Sequence, residues 1–243
     1  MMACMASQKE SLPSSSKRSF SYVFVPVASI VFFSLGFVPM AIYMLLIKLY
    51  LPFNQIWFLL SFPLLLYFGI SITILSQMFI SGLMIRIFHL LYEPGLYPYS
   101  TREKNALKWM IVVSIYTPIR KILEIIPMGR MKNSYLRLIG MKIGKNSLVG
   151  GVIKDPCITT VGDNTTMGEY AIIYGHIHNF EKGTIFIDAV HIGSNCVIGA
   201  GAIIMPGVVI EDKVTVAAGA LVTKGKRLTS GNIYAGIPAK KIK

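Results

Sequence analysis

The residues of this chain best suited to proton transfer lie close together in one polar segment. His176 and His178 each carry an imidazole, which can take a proton from a hydroxyl or an amine near neutral pH. Glu181 could orient one of these rings and stabilise the imidazolium, as the carboxylate of a catalytic triad does. In the alternative interpretation His178 and His191 are only polar loop residues, and Glu181 pairs with Lys182.

A six-residue period indicates which structure would hold these side chains. Each hexad predicts one short strand and one corner, with an aliphatic residue inside and Gly, Asn or Asp at the corner. Because a solenoid buries its core only by stacking coil on coil, the pattern predicts a parallel β-helix over residues 140–243. The periodic aliphatic positions are Ile192, Ile198, Ile204, Ile210, Val216 and Val222.

The period is interrupted before Ile192. Hexads run up to Ile173, and the segment from Ile177 to His191 does not follow them. We interpret this segment as a loop that leaves the coil. Polar loops on a rigid scaffold are where binding and catalytic groups concentrate, so the interruption marks the candidate site.

The composition indicates a membrane protein that carries a polar domain. Hydrophobic residues make up 53% of the 243 residues, and the mean hydropathy is +0.60. The apolar runs from Tyr22 to Leu51 and from Gln55 to Ile85 each exceed the ~20 residues that cross a bilayer as a helix. They predict two transmembrane helices within residues 22–86, joined by a turn at 52–54. A secretory signal peptide is the alternative, but its apolar stretch would span only ~7 to 15 residues.

The charges predict the topology and the partners. Residues 1–21 are polar, Ser-rich and basic, which indicates a disordered cytoplasmic leader. Two spans return the chain to the same side, so we expect a multi-pass protein of the cell membrane with a cytoplasmic C-terminal domain. The net charge of +13 indicates contact with anionic membrane lipids. A nucleic-acid partner is not expected, because no aromatic and basic binding motif accompanies the charge.

Residues 87–139 are predicted to form a connector and an interfacial amphipathic helix. The segment from Glu93 to Tyr99 is rich in turn residues. The stretch from Trp109 to Ile126 is apolar but contains one proline and three charged residues, which suits the membrane interface better than a span. A basic linker from Met131 to Leu138 then leads to the polar domain, which begins near Gly140.

The three cysteines do not predict a disulfide framework. Cys4, Cys157 and Cys196 are odd in number and lack CxxC spacing, which fits a reducing cytoplasm. Cys196 falls on an inward hexad position and is interpreted as a small core residue.

The C-terminal part resembles the hexapeptide-repeat acyltransferases. The features are the hexads, the Gly175-His176 pair before the loop, and the segment from Tyr234 to Lys240, which is similar to the terminal "aGnPAr" signature of that superfamily. A closer resemblance is to the membrane-anchored acyltransferase-like domains of ε-poly-lysine synthetase type. It covers about Glu93 to the C-terminus and implies a left-handed β-helix that works as a homotrimer. It is carried by Pro94–Pro98, Trp109, Tyr135–Gly144, Asp155-Pro156 and Thr160–Asp163.

The resemblance implies a general base but leaves two candidates open. In the O-acetyltransferase branch the base is the His of a Gly-His pair, which corresponds to His176. Another branch has His-x-Phe-Glu, which corresponds to the segment from His178 to Glu181. His176 is favoured because it is still in register with the coil, and a base must be held rigidly. The implied reaction is attack of a hydroxyl or amine on the thioester of acetyl-CoA or another acyl-CoA.

The resemblance also implies a donor site between neighbouring subunits. Ala200, Ala218 and Thr223 would line a groove for the pantetheine arm, with Lys224 near the phosphates. Lys240 belongs to a basic rim that suits such anions, although the same charges could form a solvated tail near the membrane. No metal is expected.

Three functions follow from these patterns. The first is a membrane-anchored acyltransferase acting on a lipid-linked, envelope-bound or other membrane-proximal acceptor. The second is a γ-class carbonic anhydrase-like zinc enzyme, because His176, His178 and His191 supply the three histidine ligands that such an enzyme needs. The third is a catalytically inactive trimeric membrane scaffold, which would bind no acyl-CoA.

Overall fold

The N-terminal part of the chain is helical. The computed structural model describes residues 23–51, 55–126 and 128–243. The predicted leader and the predicted turn at 52–54 therefore lie outside the described residues. The first three helices are α1 (Phe24–Gly36), α2 (Val38–Tyr50) and α3 (Ile56–Ile87).

Two of these helical segments could cross a membrane, judged by length and composition alone. They run from Val25 to Tyr50 and from Ile56 to Ile87. A core helix of a soluble protein meets the same criteria, but most side chains here are exposed. α1 and α2 follow one another with a break at Phe37, two residues before Pro39, which has no N–H to donate to a preceding carbonyl.

The predicted interfacial helix is longer and more buried than the sequence indicated. α4 spans Lys104–Ile125, and its internal proline does not end it. It packs against α1 and α3 on one side and reaches the β-domain on the other, where the Tyr116 hydroxyl donates to the Ile153 carbonyl at 2.9 Å. The buried Arg120 pairs with Glu124, which explains how a charge is accommodated in this helix. Its position at a membrane interface stays a prediction.

The predicted basic linker is a helix that covers the first coil of the β-domain. α5 spans Arg130–Leu138. The Asn133 amide donates to the Ser147 carbonyl at 2.8 Å, and the Lys132 ammonium donates to the Gly151 carbonyl at 2.7 Å. A solenoid exposes its core and its strand edges at the first coil, and α5 protects that end.

The β-domain is a parallel β-helix with three faces. The strands of its coils are β2 (Lys142–Ile143), β3 (Leu148–Val149), β4 (Val152–Ile153), β5 (Thr159–Val161), β6 (Thr166–Met167), β7 (Ile172–Ile173), β10 (Val190–Ile192), β11 (Val197–Ile198), β12 (Ile203–Ile204), β13 (Val209–Ile210), β14 (Thr215–Val216), β15 (Leu221–Val222), β16 (Arg227–Leu228), β17 (Ile233–Ala235) and β18 (Lys240–Lys241). They form three sheets in the orders β16-β13-β10-β5-β2, β18-β17-β14-β11-β6-β3 and β15-β12-β7-β4. Within these three sheets of the described residues, only β17 and β18 pair antiparallel.

The hexad register is confirmed by the pairing of these strands. Ile192 pairs with Ile210, so one coil contains 18 residues, and every predicted aliphatic position from Ile192 to Val222 is buried. Cys196 is buried as predicted. Corner residues such as Asn164 and Asn195 have φ of +52° and +58°, a conformation that asparagine tolerates better than β-branched residues do. The left-handed sense of the coil stays a prediction.

The predicted loop and the predicted connector are strands of one small sheet. β8 (His176–Asn179) and β9 (Thr184–Ile187) form an antiparallel hairpin, and β1 (Gly95–Pro98) pairs with β9. The coil resumes with β10, which contains His191, so the interruption is shorter than predicted. The His191 side chain is exposed on this strand. The run Thr-Ile-Phe-Ile of β9 is typical of a strand, a local signal that the interpretation as a loop did not use.

Candidate active site

The site begins where the chain leaves the coil after β7. Gly175 lies against the short 3-10 turn at Pro156–Ile158, and a Cβ atom on it would lie 2.6 Å from Ile158 Cδ1 and 2.7 Å from Asp155 Cβ. Only glycine fits here without displacement of its neighbours. This close approach brings the first residue of β8, His176, next to the Asp155 side chain.

Asp155 is a fully buried carboxylate with a hydrogen bond on every side. Oδ1 accepts from the Tyr92 hydroxyl and from Trp109 Nε1, both at 2.9 Å. Oδ2 accepts from the Gly175 N–H at 2.8 Å and contacts His176 Nδ1 at 2.7 Å. Burial alone would raise the pKa of Asp155, but the bond and charge of His176, with the Gly175 and Trp109 donors, lower it. The carboxylate is therefore ionised at neutral pH.

The bond to Asp155 fixes the His176 ring. With Nδ1–H donated to an ionised carboxylate, Nε2 carries the lone pair and is available as a base. The His176 ring lies against Trp109, with ring centroids 4.7 Å apart. This is the arrangement of histidine and aspartate in a catalytic triad, in which the carboxylate holds the imidazole and stabilises its protonated form.

His178 forms the second half of the site and has a different environment. Its ring stacks on Phe180 at a centroid distance of 5.3 Å and meets the edges of Tyr99 and Trp109 at 4.9 and 5.1 Å. Its Nδ1 is buried and has no hydrogen-bond partner within the described residues. Burial, and then the charge of His176, lower the pKa of His178. His178 is therefore neutral at pH 7.

The carboxylate that meets the imidazole is Asp155 rather than Glu181. Glu181 is exposed in the turn between β8 and β9, and in the described part of the chain no hydrogen bond or ion pair joins it to His176 or His178. The alternative pairing with Lys182 is not seen there either. The orienting role expected for Glu181 thus finds no support within the described residues of one chain, where Glu181 is exposed, and it stays a prediction.

Sequence reasoning missed the role of Asp155 and of its aromatic partners. Asp155 was noted only as part of a resemblance, and no local pattern marks it as a partner of His176. Tyr92 and Trp109 lie 63 and 46 residues before it in the sequence. The available signal was the stretch between β4 and β5, which departs from the six-residue period and contains one acidic residue.

Cys157, next to this carboxylate, is not a nucleophile. Burial raises the pKa of Cys157 to about 12, so its thiol stays protonated at neutral pH. Nor does the part of the chain that the structure describes contain a group of three His, Cys, Asp or Glu side chains placed to hold a metal ion. His176 and His178 share one site, whereas His191 lies on β10.

Four of the five residues expected at the donor site lie at two corners of the β-helix, and the fifth lies on a strand. Ala200 and Ala218 are exposed and lie one coil apart between the second and third faces. Thr223 and Lys224 are exposed at the corner from which the hairpin leaves, and the Lys224 ammonium lies 3.4 Å from the centroid of the Phe186 ring on β9. Lys240 is exposed on β18. A single chain does not bring these five residues together.

Residues 189–224 match the family model described as hexapeptide repeat of succinyl-transferase. This segment consists of hexapeptide repeats. It contains β10 to β15, the two coils that follow the hairpin of the hexapeptide-repeat domain. No curated protein matches the chain.

Solved structures similar to part of the chain include three acetyltransferases. A hexapeptide-repeat-containing acetyltransferase from Vibrio cholerae is 16% identical, with 56% of this chain and 92% of that chain covered and a TM-score of 0.48. A maltose O-acetyltransferase from Clostridium difficile is 20% identical, with 63% and 94% covered and a TM-score of 0.46. A galactoside acetyltransferase in complex with coenzyme A is 22% identical, with 51% and 78% covered and a TM-score of 0.42.

Proposed function

We propose that the protein is a membrane-anchored acyltransferase. It moves an acyl group, most simply acetyl, from coenzyme A to a hydroxyl or amine of a lipid-linked or membrane-proximal acceptor. The observation that carries this proposal is the Asp155–His176 pair beside hexapeptide repeats, with Nε2 of His176 left free to act as a base. The similar acetyltransferases, one of them in complex with coenzyme A, agree with the choice of donor.

The reaction follows from the charges at the site. His176 Nε2 takes the proton of the acceptor hydroxyl or amine as its oxygen or nitrogen attacks the thioester carbonyl. Asp155 stabilises the imidazolium that results, because it is ionised and buried. When the tetrahedral intermediate collapses, the carbon–sulfur bond breaks and the imidazolium gives the proton to the departing thiolate sulfur of coenzyme A, which leaves as the thiol. The acyl ester or amide and free coenzyme A are the products.

Coenzyme A release with His176→Ala protein tests the assignment of the base. We expect kcat to fall about 10²- to 10⁴-fold, because proton transfer by a positioned base contributes that much, while coenzyme A binding is retained. The matched control is His191→Ala, which removes an exposed histidine of the same domain and should leave turnover unchanged. If His178→Ala gives the larger loss and His176→Ala does not, His178 is the base.

We propose further that the protein works as a homotrimer with the donor bound between neighbours. Ala200 and Ala218 support this, since small exposed side chains stacked one coil apart allow a second chain to approach closely. Lys240 is the expected phosphate partner together with Lys224, whose ammonium would leave the Phe186 ring to reach an anion. A detergent-solubilised particle with the protein mass of a single chain would contradict the trimer.

The membrane anchor is proposed from the two long apolar helices and from the charge that follows them. Arg86, at the end of α3, donates to the carbonyls of Leu138 at 2.6 Å and Arg137 at 2.9 Å. The basic residues at this end support a cytoplasmic hexapeptide-repeat domain by the positive-inside bias. Protease protection of the C-terminus in sealed, right-side-out cells, and its loss after permeabilisation, is the measurement that checks this orientation.

A further inference from the structure

A cavity of about 280 Å³ lies between the N-terminal helix and the candidate site. Its volume is close to the lower end of the range of small-molecule pockets, about 300 to 1,000 Å³. It therefore suits a part of a molecule rather than a whole lipid. The lining comes from α1, from the segment after β1 and from α4, and includes Val25, Pro26, Tyr99, Trp109, Val113 and Ser114.

The two ends of this cavity meet different surroundings. At one end Val25 and Pro26 belong to a helix that is long and apolar enough to cross a membrane. At the other end Tyr99 and Trp109 are the same rings that touch the catalytic pair, since Trp109 lies 4.7 Å from His176 and Tyr99 lies 4.9 Å from His178, centroid to centroid. The same two rings thus border both the cavity and the two histidines.

The side chains that line the cavity indicate which kind of molecule it can bind. Val25, Pro26, Met110 and Val113 offer neither a charge nor a hydrogen-bonding side chain, and Trp109 already uses its N–H on Asp155. The hydroxyls of Tyr99, Thr101 and Ser114 also line the cavity, but among the described residues no charged side chain does. A charged headgroup would therefore leave water without an opposite charge to meet it, whereas an alkyl chain gains by leaving water.

We propose that the cavity binds a short alkyl segment of the acceptor, so that the acceptor is an amphipathic molecule with its hydroxyl or amine at the end of an apolar chain. This inference rests on the proposed function. The chain enters from the side of α1, and the polar end lies at the rings of His176 and His178. The acceptor's selectivity is then set by α1 and α4, outside the hexapeptide-repeat domain.

The first test is acyl transfer from acetyl-CoA to a series of straight-chain 1-alkanols, from ethanol to decanol, with the full-length protein in nanodiscs. We expect kcat/KM to rise about fourfold for each methylene that enters the cavity and then to level off, because each buried CH₂ contributes a fixed transfer free energy. Ser114→Phe, which fills the cavity, should abolish this rise.

The matched control is Thr117→Phe. Thr117 is another half-buried hydroxyl side chain on the same helix, about one turn from Ser114, and does not line the cavity. Thr117→Phe should retain the dependence on chain length. Loss of the dependence in both variants would place the effect in α4 packing and overturn the cavity as the binding site.

The second test measures binding without turnover. The chain contains two tryptophans, and Trp57→Phe removes the exposed one and leaves Trp109 as the only fluorophore of this type. We expect long-chain brominated 1-alkanols to quench Trp109 more strongly than short ones, and Ser114→Phe to prevent this quenching. Equal transfer to every alkanol without quenching of Trp109 overturns the inference and leaves the proposed function intact. Quenching of Trp109 without consumption of acetyl-CoA by any acceptor overturns the proposed function instead.

Discussion

At the scale of single residues, the site depends on one buried charge. The Asp155 carboxylate accepts hydrogen bonds from three donors of the scaffold and also contacts His176 Nδ1. Tyr92 supports this arrangement as a fixed donor, because burial and the charge of Asp155 raise the pKa of its phenol. A carboxylate in this environment both orients the imidazole and lowers the free energy of its protonated form.

Asp155→Asn should lower kcat about 10²- to 10⁴-fold, because the amide keeps the size of the side chain but removes the charge that stabilises the imidazolium. KM for acetyl-CoA should change little, since Asp155 lies beneath His176 and faces no donor residue proposed above. Asp188→Asn is the control, because Asp188 follows the hairpin and an amide oxygen can still accept from the Ala189 N–H. Full activity of the Asp155→Asn protein would contradict the assignment of Asp155.

His178 should make the stability of the protein sensitive to mild acid. Burial and the neighbouring His176 lower its pKa in the folded state below the unfolded value of about 6.5. Between the lowered pKa and about 6.5 the unfolded chain binds a proton that the folded chain does not, so stability falls as the pH falls through this window. Melting temperatures across that pH range should decline less for His178→Gln than for the parent protein. His191→Gln should follow the parent, and equal slopes for all three proteins would contradict the prediction.

The sequence predicted the two histidines but not their environment. His176 and His178 were found because they fall at the interruption of a regular pattern. Asp155 was not found as a partner, because its donors Tyr92 and Trp109 come from the connector and from α4, outside the repeat. Contacts between segments so distant in sequence depend on how the whole fold packs, and a local period in the sequence does not predict them.

At the scale of elements, the hairpin of β8 and β9, which carries His176 and His178, is held on both sides. β1 pairs with β9 along one edge, and the Tyr99 N–H continues this contact with a bond of 2.7 Å to the Gly183 carbonyl. At the other side Lys224, two coils further along the β-helix, lies over Phe186. The β-helix was predictable because its period repeats many times. β1 was not, because a four-residue strand whose partner lies about 90 residues later has no period of its own.

Phe186→Leu should loosen the hairpin without disturbing the coils. The substitution removes a contact between the Lys224 ammonium and an aromatic face, which is worth about 0.5–1 kcal/mol at an exposed position. The hairpin should therefore open about 2- to 5-fold more often, which amide hydrogen exchange of β8 and β9 measures. Exchange in β11 and β14 provides the internal control. Unchanged protection of the hairpin would mean that the pairing with β1 alone holds it.

At the scale of the whole molecule, the N-terminal helices and the β-helix contribute to the same site. The rings of Tyr99 and Trp109 and the hydroxyl of Tyr92 lie before the hexapeptide repeats in sequence, yet all three reach the Asp155–His176 pair or its neighbour. A division at Gly140, which the sequence predicted from the start of the hexads, describes the change of architecture. It does not describe the site, because the packing of α4 on the β-helix joins both parts.

If α3 spans a membrane as proposed, its length links the lipid surroundings to the candidate site. Its buried residues are concentrated in the last third, from Gln77 onward, which leaves 21 residues from Ile56 to Ser76, or about 31 Å, for a hydrocarbon layer about 30 Å thick. A thinner layer is met by tilting α3, whose far end is fastened to α5 through Arg86, whereas a thicker layer must itself thin around the helix. β1 begins eight residues after α3 and pairs with the strand beside the histidines, so we expect a tilt of α3 to be transmitted towards His176. We expect turnover to pass through a maximum when the protein is reconstituted in phosphatidylcholines of increasing acyl length, and the enzyme would then respond to membrane thickness as an input.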